Sequence, residues 1–227
     1  MTLDARVDHL VVAATDLEQG AAWCEATLGV RPGPGGEHPL MGPHNLLLRV
    51  ATVNHPRAYL EILAIQPGRA SQRPRRWFDL DDESVRDALR RDGPRLLHFV
   101  ASVPDVAASV TALKELGHDR GMPLRASRMT PRGLLEWQIT LRDDGQRLLQ
   151  GTLPTLIQWG ATHPASALPE SGVTLQALCA HAPDPAPLES AYRAIGLHGV
   201  AVKTGAVNLC AVLETPRGRV KLESKGV

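Results

Sequence analysis

The chain has 227 residues, 43% hydrophobic and 22% charged, with a formal net charge of +1. This supplies a sizeable core for one large or two small domains, and so even a charge balance leaves no footprint for nucleic acid or an acidic membrane surface. No apolar run reaches the roughly 18 residues of a membrane span. The three cysteines (Cys24, Cys179, Cys210), without metal-type spacing or a leader, read as thiols of a reducing cytoplasm.

In chain order, residues 7–13 (VDHLVVA) alternate as a strand, with Val7, His9, Val11 and Ala13 on one face and Asp8, Leu10 and Val12 on the other. Thr15 or Asp16 then caps a helix that carries Leu17, Ala21, Ala22, Ala26 and Leu28 at helical spacing and stops at Gly29. Residues 32–36 (PGPGG) read as a turn, and 46–52 and 58–65 as strands. The Arg-rich and Asp-rich stretch that follows reads as a solvated linker with a short helix at 84–91.

The pattern then restarts. Residues 96–118 repeat strand, Asp, helix and Leu-Gly, with His98 and Asp105 spaced as His9 and Asp16 are. Strands are expected at 124–129, 134–141 and 155–159. A third, weaker copy follows a Pro/Ala/Ser-rich linker: a strand at 173–182, a helix at 187–197 and strands at 200–203, 207–213 and 220–223. It has no histidine at the matching point. The expected organisation is a first module at 1–66, a linker at 67–95, a second module at 96–160, a linker at 161–171 and a third, degenerate module at 172–227. The fold class is α+β, with paired βαβββ modules forming a concave mixed sheet and a related module after them.

Two such units, side by side, leave a cleft. His9 and His98 fall on its inner strands, with Glu61 and Gln158 on the last strand of each unit. A carboxylate facing an apolar sheet interior costs several kcal/mol unless it is paired or metal-bound.

These residues, with GGEHPLMGPHN (35–45), SRMTPRGLLEWQI (127–139) and LPTLIQW (153–159), resemble the vicinal oxygen chelate superfamily, and within it the glyoxalase-like domain proteins. The resemblance covers about residues 5–160. It implies a metal-assisted lyase, isomerase or dioxygenase acting on a small oxygenated molecule. His9, Glu61 and His98 then form a facial triad for Fe, Mn, Ni or Zn, with Glu61 as ligand or proton carrier and Gln158 as a weak fourth ligand. The chain departs from the family pattern twice: Gln158 stands where metal-binding members carry a carboxylate, and Pro43 and His44 replace the middle of Gly-Thr-x-Asn.

Other readings stay open beside these. The two histidines bond Glu61 in a metal-free pocket that binds or sequesters a small-molecule ligand. His38 and Asn45 contact that ligand from a loop over the cleft or merely fasten the loop. Arg128 clamps an anion or pairs with Glu136. Trp137 and Trp159 line the cleft or fill core. A further reading makes the third module an assembly surface for a homodimer. No GxSxG, P-loop, GxGxxG or CxxC motif is present.

Overall fold

The structure, a computed structural model, describes residues 3–38, 40–130 and 133–227. Pro39, Pro131 and Arg132, which belong to two of the motifs quoted above, lie outside the described residues.

The first unit consists of β1 (Arg6–Ala13), α1 (Leu17–Leu28), β2 (Gly33–Glu37), β3 (Pro43–Arg49) and β4 (Tyr59–Ile65). The Asp16 carboxylate caps α1 by accepting the Gln19 N–H at 2.7 Å, and Gly29 closes it in the left-handed conformation with φ 77°. The segment 66–82 leads to α2 (Glu83–Asp92). The second unit is β5 (Arg95–Ser102), α3 (Val106–Glu115), β6 (Pro123–Thr130), β7 (Gly133–Thr140) and β8 (Thr155–Trp159).

Together they form one eight-stranded sheet of order β2-β3-β4-β1-β5-β8-β7-β6. The first and fourth strands of each unit run parallel, and β1 and β5 join the halves antiparallel. One face carries Leu10, Val12, Leu60, Ile62, Phe99 and Leu156 under α1 and α3. The other, concave face carries Val11, Ala13, Leu63, Leu97, Val100, Ile139 and Ile157.

β2 is an addition to the expected elements. GPGGE has no apolar alternation to announce a strand, and the edge is held by pairing of Gly33 with Leu47 and Glu37 with His44. Glycine is required at position 35, because a Cβ there would come within 2.0 Å of Asn45 Oδ1.

The C-terminal unit, β9 (Thr174–Ala182), α4 (Ala186–Ala194), β10 (Val200–Thr204), β11 (Asn208–Thr215) and β12 (Gly218–Glu223), keeps the βαβββ element order. Its pairing differs, with order β10-β9-β11-β12, so that β9 joins the second and third strands of its unit. Leu175, Leu178, Tyr192, Leu209 and Leu213 pack onto the helix-bearing face of the main sheet. That apolar surface is committed to the chain's own core, away from the cleft.

Candidate functional site

The cleft begins with an irregularity of β1. Val7 pairs with Ala101 and His9 with Val100, so Asp8 is an extra residue in a β-bulge. The bulge turns Val7 into the helix-side core and brings Asp8 to the cleft side next to His9, against the simple alternation read from the sequence.

Asp8 is buried and accepts three bonds: from His9 Nδ1 at 2.7 Å, Trp159 Nε1 at 2.8 Å and His163 Nε2 at 3.0 Å. Burial alone raises a carboxyl pKa, but the bonds and charges of His163 and His9 outweigh it and hold Asp8 well below the usual carboxylate range. The Ala165 N–H donates to His163 Nδ1, which places the His163 proton on Nε2. Tyr59 stacks on the His9 ring with centroids 4.6 Å apart.

With Nδ1 occupied by Asp8, His9 presents Nε2 to Glu61 Oε2 at 3.6 Å. Glu61 lies on β4, one strand from His9, and is 5% exposed. Its Oε1 takes the Asn45 side-chain amide, and His38 Nε2 stands 3.5 Å from the same oxygen and 2.9 Å from Asn45 Nδ2. Here too burial raises the carboxyl, and His38, His9 and Asn45 together lower it further than burial lifts it. Asn45 Oδ1 in turn accepts the Gly36 N–H at 2.7 Å, so that the β2–β3 pair supports both Asn45 and Glu61.

These groups line a small inner chamber of about 40 Å³ with Leu47, Trp77, Phe78, Arg128, Trp137 and Trp159. An outer chamber of about 620 Å³ shares His38, Trp77, Arg128, Trp137 and Ile139 with it. Segment 66–82, expected as a solvated linker, is therefore partly a cleft wall: Trp77 lies edge-on to His38 and stacks on Phe78. Phe78 and Asp79 adopt left-handed backbone (φ 59° and 58°), and the Arg147–Asp79 ion pair of 2.7 Å secures that turn.

The structure thus brings together His9, His38, Asn45, Glu61, Arg128, Trp137 and Trp159. It does not bring His98 or Gln158 to them. His98 is fully buried beneath Phe78; the Thr155 N–H donates to its Nε2 at 3.1 Å and its Nδ1–H donates to Gly151 O at 2.9 Å. Burial, then the Arg120 and Arg147 charges, push its pKa well below 6.5. Gln158 points to the opposite face, where its Oε1 accepts the Val106 N–H at the start of α3 at 2.9 Å.

Strand register explains the difference. Glu61 pairs with Val11, two residues after His9, and Thr155 pairs with Val100, two residues after His98. The counterpart of Glu61 is Thr155, and the counterpart of bulged Asp8 is Leu97, the extra residue of a second register shift between β1 and β5. The first half-site is an acid–base network, and the second is closed by a threonine and a leucine. Asp8 and His163 were not singled out by the sequence. The spacing signal for Asp8 lay in Asp-His within an apolar strand, whereas His163 follows β8 in a segment with no pattern.

The paired units and one-sided cleft define a protein of the glyoxalase fold. The glyoxalase-like domain family profile matches residues 7–196, and the chain belongs to that family. A search of curated proteins finds no significant match. Among solved structures, a hypothetical protein from Staphylococcus aureus superposes with a TM-score of 0.60 at 12% identity, over 89% of this chain and 87% of that one. Methylmalonyl-CoA epimerase from Streptomyces coelicolor aligns at 20% identity and TM-score 0.43, over 71% of this chain and 99% of that one. The Mycobacterium tuberculosis epimerase aligns at 18% and 0.37, over 71% and 91%.

Proposed function

We propose that the chain is an acid–base enzyme, of lyase or isomerase type, that moves a proton on a small oxygenated molecule held in the cleft. One observation carries the reading: His9 Nε2 faces Glu61 Oε2 at 3.6 Å, with His9 Nδ1 held on Asp8. An imidazole so oriented gains or loses its proton at one atom, as general acid–base chemistry requires. Glu61 Oε2 takes a proton from the carbon beside a carbonyl and hands it to the bare His9 Nε2, which delivers it to the resulting enolate, so that both groups end as they began. Because the two groups touch, they serve neighbouring atoms on one side of the molecule.

The metal-assisted lyase, isomerase or dioxygenase chemistry implied by the resemblance asks for His98 as a third ligand. The residues do not fit: both His98 ring nitrogens are engaged, and among the described residues no group of three His, Cys, Asp or Glu side chains is arranged for a metal.

The test is hydrogen–deuterium exchange at carbon. A panel of 2-oxo acids, 2-hydroxy aldehydes and 1,3-dicarbonyl compounds is incubated with the protein in D2O and followed by proton NMR. The reading expects enzyme-dependent exchange with at least one class, abolished by Glu61→Gln. No exchange across the panel, or exchange that survives the substitution, leaves ligand binding without turnover as the function of the cleft.

A further inference from the structure

The sizes and walls of the two chambers define what reaches His9 and Glu61. About 40 Å³ is room for little more than one or two water-sized groups. Only the end of a ligand enters the inner chamber, so its body must occupy the outer one, whose 620 Å³ falls within the usual range for small-molecule pockets. Leu40, Met41, Leu124, Trp137, Ile139 and Leu141 make that outer wall largely apolar.

Arg128 stands where the chambers meet and lines both. It forms no ion pair with a described residue, and its buried Nη1 has no hydrogen-bond partner there. The Glu136 partnership allowed by the sequence is not made: Glu136 is opposite Ser127, on the neighbouring register position. Glu37, at the rim, is engaged by Gln66 and Arg69. The guanidinium lies on Gly36, where a Cβ would come within 1.6 Å of Nη1, so that backbone leaves room for the cation. Nη1 is covered by Gly36, while the rest of the half-buried side chain lines both chambers, where a carboxylate matches the planar fork of a guanidinium.

We infer that the ligand is an amphipathic carboxylate, with its anionic group on Arg128, an aliphatic or aryl body in the outer chamber and an adjoining oxygenated carbon toward Glu61. This names the substrate class for the proton transfer proposed above and rests on that reading for the chemistry only, since binding is measurable without turnover.

Isothermal titration calorimetry with octanoate, 1-octanol and acetate tests it on the full chain. Octanoate is expected to bind at least about tenfold more tightly than 1-octanol or acetate, since it alone offers both the charge and the chain. Arg128→Gln is expected to bring octanoate down to the level of 1-octanol, and Arg128→Lys to fall between, with thermal melting of each variant checked against the parent. Equal affinity for octanoate and 1-octanol, no binding of either, or octanoate binding unchanged in a folded Arg128→Gln overturns the inference. Octanoate binding dependent on Arg128 with no carbon exchange in D2O fails the acid–base reading alone. Exchange indifferent to Arg128 fails the ligand class alone.

Discussion

Asp8 and His9 are neighbours in one β-strand, yet their side chains meet at 2.7 Å on the same side of the sheet. A regular strand places them on opposite faces. The bulge at Asp8 makes the contact, and it turns a strand histidine into an imidazole with one fixed and one free nitrogen.

Asp8→Ala strands three donors, those of the buried His9 and His163 and the half-buried Trp159, and should cost about 3–5 kcal/mol of stability in urea denaturation, with Asp8→Asn costing less. The folded-state pKa of Asp8 lies below its ordinary 3.8. Its stabilisation is therefore full above that value and lost as pH falls through the folded one. The stability gap between the parent and Asp8→Asn should hold from pH 7 to about 5 and close only in stronger acid.

His98 has the opposite charge habit and the same sign. It is buried without a proton on Nε2, and the unfolded chain takes up that proton near pH 6.5 while the folded chain does not. Its contribution is present above 6.5 and declines at up to about 1.4 kcal/mol per pH unit below it, down to the folded pKa. His98→Gln should flatten this part of the stability–pH curve; an unchanged slope would mean that His98 titrates normally in the fold.

Metal uptake provides a separate check on the same residue. After incubation with Zn(II) or Mn(II), His98→Ala should retain as much metal as the parent by elemental analysis, whatever that amount is. Selective loss in this variant would restore His98 as a ligand.

Gly35 and Gly36 of β2 should behave differently. A Cβ at Gly35 meets Asn45 Oδ1 at 2.0 Å and the Asn45 backbone oxygen at 2.6 Å, and backbone does not yield. Gly35→Ala should cost about 1–3 kcal/mol, visible as a lowered melting temperature. At Gly36 the obstacle is the flexible end of Arg128, so Gly36→Ala should melt near the parent and lose affinity for octanoate.

The repeat made much of this architecture legible. His9–Asp16 and His98–Asp105 mark two strand–helix starts, and the eight-stranded sheet places them as expected. The capping of α1 by Asp16 and its stop at Gly29 were also readable. Sequence repetition overstated the symmetry of the site, however, because matching residue types do not fix register. Gln158 follows an apolar pair as Glu61 does, but strand pairing makes Thr155 the counterpart of Glu61. Asp8 was hidden because a bulge leaves no trace in residue periodicity. Trp77 and Phe78 were hidden because they lie on a charged segment whose course depends on distant anchors such as Arg147.

The most direct test of this account is the protonation of the His9 ring, read by nitrogen-15 NMR on histidine-labelled protein across a pH titration and assigned with His9→Gln. The account predicts that the neutral ring carries its proton on Nδ1, facing Asp8, with Nε2 bare toward Glu61, and that Asp8→Asn removes this preference. A neutral His9 with its proton on Nε2, or a ring indifferent to Asp8→Asn, would contradict it.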